Sequence, residues 1–144
     1  MGSAALLVAN RGEVAVRVLR AAAEAGLRTV AVYADGDDAH TLSADEAVRT
    51  SGYLDADALL TAARETGCDH LHPDYGFLSE DAGFARRRAE AGITFVGPSP
   101  EVLEVFGDKV RARALAVEAG VPACRAAGVR RAPRRRVSCW RAGP

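Results

Sequence analysis

Lysine, cysteine, aromatic residues and long apolar runs are all scarce in this 144-residue sequence, and each scarcity excludes something. Its three cysteines, Cys68, Cys124 and Cys139, are odd in number and widely spaced. That pattern gives no disulfide framework and no paired zinc ligands; it suits unpaired thiols in a reducing compartment. No apolar run approaches the roughly 20 residues that span a bilayer. The N-terminus lacks the basic flank and long apolar stretch of a secretory signal, so a cytoplasmic location is expected. Aromatic residues make up only 6%, yet the apolar content of 49% is enough for a core. A chain of this length buries roughly two-thirds of its unfolded surface in a single domain. A glycine triplet after the first apolar run is also missing, which argues against a dinucleotide-binding turn.

The net charge of zero hides an asymmetry. Seven of the nineteen basic residues lie from Arg125 onward, with no acidic residue among them, so the preceding part carries twelve basic against nineteen acidic groups, a net of −7. Residues 1–122 therefore read as one domain and 123–144 as a basic, irregular tail with no helical or strand period. The Arg134-Arg135-Arg136 cluster could be taken as a nucleic-acid patch. The abrupt change in composition favours a truncated or frame-shifted end, and nucleic acid is not an expected partner.

Within the body, Leu6-Leu7-Val8-Ala9 reads as a short buried strand. Asn10-Arg11-Gly12-Glu13 is a turn, Glu13 to Ala25 an amphipathic helix, and Val30 to Asp35 a second strand: a βαβ unit. The helix presents Val14, Val18, Ala21, Ala22 and Ala25 as its apolar face, and Gly26 supplies the left-handed stop. Residues 35–43 read as polar loop, and Glu46 to Thr50 as a third strand. Asp55 caps a helix running through Thr66, and Asp69 to Leu71 is a fourth strand. A helix from Ala82 to Ala91 stops at Gly92, before a fifth strand over 93–96. Ser99 and Pro100 open a helix to Phe106, and Asp108 caps a last one ending at Gly120. The expected fold is α/β: an open, mostly parallel sheet of about five strands flanked by helices.

Few residues carry chemistry on their own pattern. Lys109 is the single lysine, and at a helix start, beside free N–H groups and the positive dipole end, it suits a phosphate. A solitary cation is also often merely solvated. The loop from Asp74 to Glu80 follows a strand end, where open α/β sheets place ligand contacts. Cys68, His70 and His72 alternate along a strand, but the spacing matches no common zinc pattern and no fourth ligand is in sight, so no metal site is expected. His40 sits in polar loop and suggests no role. Asp37-Asp38 and Asp45-Glu46 read as solvated or capping groups, and no catalytic residue is assigned.

Four collinear blocks resemble the biotin carboxylases, the ATP-dependent components of acetyl-CoA, propionyl-CoA, pyruvate and urea carboxylases. They are Leu7 to Arg17 followed by Arg28 to Tyr33; Ala44-Asp45-Glu46-Ala47; His72 to Glu80; and Phe95 to Pro100 running on to Gly107-Asp108-Lys109. The resemblance covers residues 5 to about 122. It implies a Rossmann-like domain that precedes an ATP-grasp fold, with the four blocks gathered at one rim of the sheet. It implies that Lys109 contacts ATP and that Tyr75 and Gly76 lie near the biotin ureido ring, with Phe77 and Leu78 packed beneath the loop. Arg20 and Glu24 match homodimer interface positions, although an exposed pair at this spacing also serves solubility alone.

The resemblance further implies partners and cofactors: an ATP-grasp domain of the same enzyme that holds magnesium, and biotin on a carboxyl carrier protein. The glycine-rich phosphate loop, metal-binding glutamates, bicarbonate-orienting groups and catalytic base belong to those later domains, so the isolated chain is expected to be inactive. Three departures stand out. Asp74 and Asp81 occupy positions where the family usually has glycine and asparagine, and the segment between Val48 and Tyr53 is several residues shorter, which could strain the crossing from strand to helix. Two other classes fit less well: the lead domain of another ATP-grasp ligase, and a non-catalytic dimerising module.

Overall fold

The apolar runs of β1 and β2 are buried on both sides, and the helices that bury them follow from the handedness of the connections. The computed structural model describes residues 4–122. In chain order these are β1 (Ala5–Val8), α1 (Gly12–Glu24), β2 (Arg28–Tyr33), a 3-10 turn (Ala39–Ser43), β3 (Glu46–Arg49) and α2 (Ala56–Glu65). There follow β4 (His70–His72), α3 (Ala82–Glu90), β5 (Thr94–Phe95), α4 (Pro100–Gly107) and α5 (Lys109–Glu118). The five strands form one sheet in the order β3-β2-β1-β4-β5, and every pairing is parallel.

Right-handed crossovers decide which face each helix covers. The steps from β1 to β2 and on to β3 run one way across the sheet, so α1 and the 3-10 turn share a face. Steps from β3 to β4 and from β4 to β5 run the other way, and α2 and α3 lie opposite. The larger core joins Leu7, Val30, Val32 and Leu71 to Leu59 and Ala63 of α2, Phe84 and Ala85 of α3, Phe95 and Leu103. The smaller core joins Leu6, Val8 and Ala31 to Ala15, Leu19 and Ala22 of α1. Over β4 and β5 no helix among the described residues covers the α1 face, and there His70 and His72 are half-buried and Val96 exposed.

Local signals set the boundaries. Asp55 accepts from the Ala58 amide at 3.0 Å, Asp81 from Phe84 at 2.7 Å and Ser99 from Val102 at 3.4 Å, each a side-chain cap worth about 1 kcal/mol. Aspartate caps as well as the asparagine the family favours, so the departure at Asp81 is conservative. Gly97 is small for reasons of space: a Cβ there would stand 2.6 Å from the Phe95 ring.

Several expectations need correction. The buried face of α1 is Ala15, Leu19 and Ala22, while Val14, Val18 and Ala21 border the uncovered half of the sheet. Helical period alone cannot register that α1 covers only β1 and β2. Residues 39–43 are a 3-10 turn rather than open loop, and His40 is buried with Nε2 2.8 Å from the Val32 carbonyl. The shortened 48–53 segment carries no backbone strain: its residues avoid positive φ, and the Thr50 amide donates to Tyr33 O at 2.8 Å. The Ala44 to Ala47 block lies at the N-terminal rim of the sheet, opposite the other three. Asp45 works there as a splice, its Oδ2 accepting from both the amide and the hydroxyl of buried Thr29 at 2.8 Å each. Those bonds hold the Asp45 carboxyl below its ordinary range.

Candidate functional site

Where the strand order reverses, between β1 and β4, the chain leaves the C-terminal ends of two neighbouring strands in opposite directions and opens a crevice. The turn after β1 forms one wall and the turn after β4 the other. Asn10, 4% exposed, joins them. Its Nδ2 donates to Pro73 O at 3.1 Å and Tyr75 O at 2.9 Å, while its Oδ1 accepts from the Arg11 amide at 2.8 Å. Every polar atom of this buried amide is therefore used. Arg11 beside it forms an ion pair with Asp37.

The clamp presents the next residues outward. Tyr75 is 70% exposed, Gly76 takes φ 73°, and both border a pocket of about 470 Å³ with Phe77 of the same turn and Arg11 and Glu13 at the start of α1. No side chain caps α1 there, and its first residues, Gly12, Glu13 and Val14, line this pocket with their amides free of a capping side chain. Phe77 is itself left-handed, at φ 46°, and its ring meets Tyr53 at 5.2 Å. Leu78 is buried beneath the loop as expected, whereas Phe77 remains 41% exposed. Burial pushes the Tyr53 phenol up, with backbone contact at Ala34 opposing and Asp37 nearby reinforcing.

Asp74 is the anomaly of this rim. It adopts φ 58°, a left-handed conformation that explains why glycine is usual here. Its side chain is only 5% exposed, and Oδ2 is buried without a hydrogen-bond partner. Burial pushes the carboxyl up to about 6, against a smaller opposing pull from Arg17. The Asp74 amide donates to His72 Nδ1 at 3.0 Å. An accepting Nδ1 means that His72 is neutral with its proton on Nε2, and burial pushes the His72 pKa down in agreement.

The remaining expected residues are not brought together with this rim. Lys109 is exposed at the first position of α5 and borders neither pocket that Tyr75 lines. The free N–H groups expected beside it are occupied: Asp108 Oδ1 accepts from Val110 at 2.8 Å and Arg111 at 3.1 Å. Its fit to a phosphate thus rests on the ammonium alone. Arg20 and Glu24 are exposed on α1 and make no ion pair with each other. Cys68 belongs to the α2 side of the sheet and accepts from the Thr66 hydroxyl at 3.3 Å, away from His70 and His72. Among the described residues no three His, Cys, Asp or Glu side chains cluster to hold a metal. Also among them, no helix is long and apolar enough to cross a membrane. The basic tail, residues 123–144, lies outside the described part.

Sequence reasoning missed the role of Asn10. Its signal was a polar residue directly after four buried apolar ones, where a side chain continues into the core and must find partners.

Comparison with known proteins bears on this rim. The profile described as biotin carboxylase, N-terminal domain, matches residues 3–103. The mitochondrial pyruvate carboxylase of Rattus norvegicus is 50% identical over 126 residues, covering 81% of this chain and 11% of that protein. The biotin carboxylase of Halalkalibacterium halodurans is 49% identical over 125 residues, covering 81% of this chain and 28% of that protein. Among solved structures, the biotin carboxylase domain of a single-chain bacterial carboxylase superposes with a TM-score of 0.80 at 54% identity, covering 83% of this chain and 30% of that one. The chain thus spans between 11% and 30% of the length of these relatives.

Proposed function

The chain belongs to the family of biotin carboxylase N-terminal domains, and from that premise we propose that it serves as the lead domain of an ATP- and bicarbonate-dependent enzyme that carboxylates biotin on a carrier protein. The observation that supports this best is the Asn10 clamp, which ties the two signature turns into a single ligand-facing rim at the switch point. On this reading Tyr75 and Gly76 border the biotin ureido ring. Gly76, at φ 73° and without a side chain, lets a planar ring approach the backbone. Lys109 meets the nucleotide phosphates as a compact cation. Magnesium and the groups that activate bicarbonate lie on the ATP-grasp portion of the enzyme.

That portion needs a surface to pack on. Val102 and Phe106 of α4, Val110, Leu115 and Val117 of α5, and Val121 are 42–71% exposed, and α5 buries no residue at all. Two consecutive helices with this much apolar surface in water suit an interdomain contact. Arg20 and Glu24 on α1 provide a homodimer contact.

Two assays test the reading. Purified chain incubated with ATP, magnesium, bicarbonate and free biotin is expected to release no ADP above background. Residues 4–122 grafted in place of the matching segment of the Halalkalibacterium halodurans enzyme are expected to support bicarbonate-dependent ADP release and biotin carboxylation. A folded graft without turnover would refute the proposal.

A further inference from the structure

On the α1 side of the sheet, the half that no helix among the described residues covers is a pocket of about 480 Å³, a volume typical of small-molecule sites, which run roughly 300–1,000 Å³. Its walls are apolar, with Leu6 from β1, Val14, Val18 and Ala21 from α1, then Leu27 and Val96. Its titratable groups are Arg17 from α1, His70 and His72 from β4, and Asp74 and Tyr75 from the turn that follows. An isolated domain boundary would leave apolar residues here; it would not require a buried acid.

The Asp74 side chain is buried, its backbone is left-handed and its Oδ2 has no hydrogen-bond partner, while Oδ1 stands 3.6 Å from His72 Nδ1. Each of these costs stability, and glycine at this position would avoid all three. Arg17 borders the same pocket yet forms no ion pair with Asp74; its exposed guanidinium acts on the carboxyl only at a distance. The pocket is therefore lined by a carboxyl, an exposed cation and an aliphatic wall together. A neutral His72 adds an Nε2–H donor.

We propose that this pocket binds an aliphatic α-amino acid in its zwitterionic form, with the ammonium on Asp74, the carboxylate on Arg17 and the side chain against Leu6, Val18 and Leu27. Asp74 lines the pocket and its Oδ2 has no hydrogen-bond partner, so the carboxyl has bonding capacity left for the ligand. The ammonium then supplies the missing hydrogen bonds in charge-assisted form. Both charged contacts are needed, so a molecule with one charged end forfeits one of them. This site adjoins the crevice assigned to biotin, sharing Tyr75 with it, and its occupancy does not depend on carboxylase activity.

Amide NMR of the full chain tests the proposal with L-leucine, isoamylamine and isocaproate as probes. Leucine is expected to shift the amides of Ala21, Ala22 and Val96 saturably, and each singly charged analogue to bind about ten-fold more weakly. Asp74→Gly, which suits the left-handed backbone and should fold, is expected to weaken leucine about ten-fold while leaving isocaproate unchanged. Arg17→Gln is expected to weaken leucine and isocaproate but not isoamylamine. Absence of saturable shifts with leucine, equal affinity for all three probes, or unaltered leucine binding in Asp74→Gly would each overturn it.

Discussion

The two turns at the switch point solve the same problem in opposite ways. After β1, Asn10 is buried and spends every hydrogen-bonding atom on its neighbours. After β4, Asp74 is buried with one oxygen unserved and its backbone left-handed. Satisfied burial marks a part that holds the rim together, while unsatisfied burial marks a part whose cost must be offset elsewhere. The pair also divides labour: Asn10 fixes where the β4 turn stands, and the β4 turn carries what faces solvent.

Breaking the clamp gives the largest expected effect. Asn10→Ala removes three hydrogen bonds and leaves the Pro73 and Tyr75 carbonyls without their donor, a loss of about 3 kcal/mol in chemical denaturation. Amide exchange in residues 74–77 should rise with it. A loss under about 1 kcal/mol would mean that other contacts hold the turn.

Relieving the opposite turn should do the reverse. Asp74→Gly removes the left-handed strain and the buried carboxyl, with part of the gain offset by glycine's extra freedom when unfolded. A net stabilisation of about 2 kcal/mol at neutral pH is expected. The sign with pH is distinctive. Because the folded-state pKa of Asp74 is raised to about 6, the folded protein holds this proton more tightly than the unfolded chain. Stability from this group is greatest below the ordinary aspartate range and falls as pH rises toward about 6. Asp35, Asp45, Asp69 and Asp108 have lowered pKa values and act in the opposite direction, losing stabilisation as pH falls. The gap between wild type and Asp74→Gly should therefore widen from about pH 4 to about 6 and level off above; a gap independent of pH would show that the carboxyl is not held buried.

The smallest effect belongs to the outer face of α1. Arg20→Ala should change the stability of a monomer by less than about 0.5 kcal/mol, since the side chain is exposed and unpaired. A dimer, by contrast, should weaken measurably in sedimentation. Equal sedimentation of both forms would remove Arg20 from any interface.

How much of this was legible beforehand follows the range of each interaction. The βαβ opening, the caps at Asp55, Ser99 and Asp108, and the stops at Gly26 and Gly92 depend on residues within one turn of each other, and pattern alone located them. The apolar face of α1 was misplaced because which side is buried depends on strand order. His40 was misread because its partner is a β2 carbonyl, and the Asn10 clamp was invisible because it spans more than sixty residues of chain. Asp74 stood between these cases. Its departure from glycine signalled a left-handed position, whereas its burial and missing partner required the fold.

Lys109 bears most directly on the central assignment, because it is the chain's one lysine and its helix amides are already capped by Asp108. In the graft of residues 4–122 described above, Lys109→Gln should raise KM for ATP at least about ten-fold with the fold intact, because a lost charge-assisted phosphate contact is worth that much. Turnover with an unchanged KM for ATP would contradict the assignment of this domain to the nucleotide site.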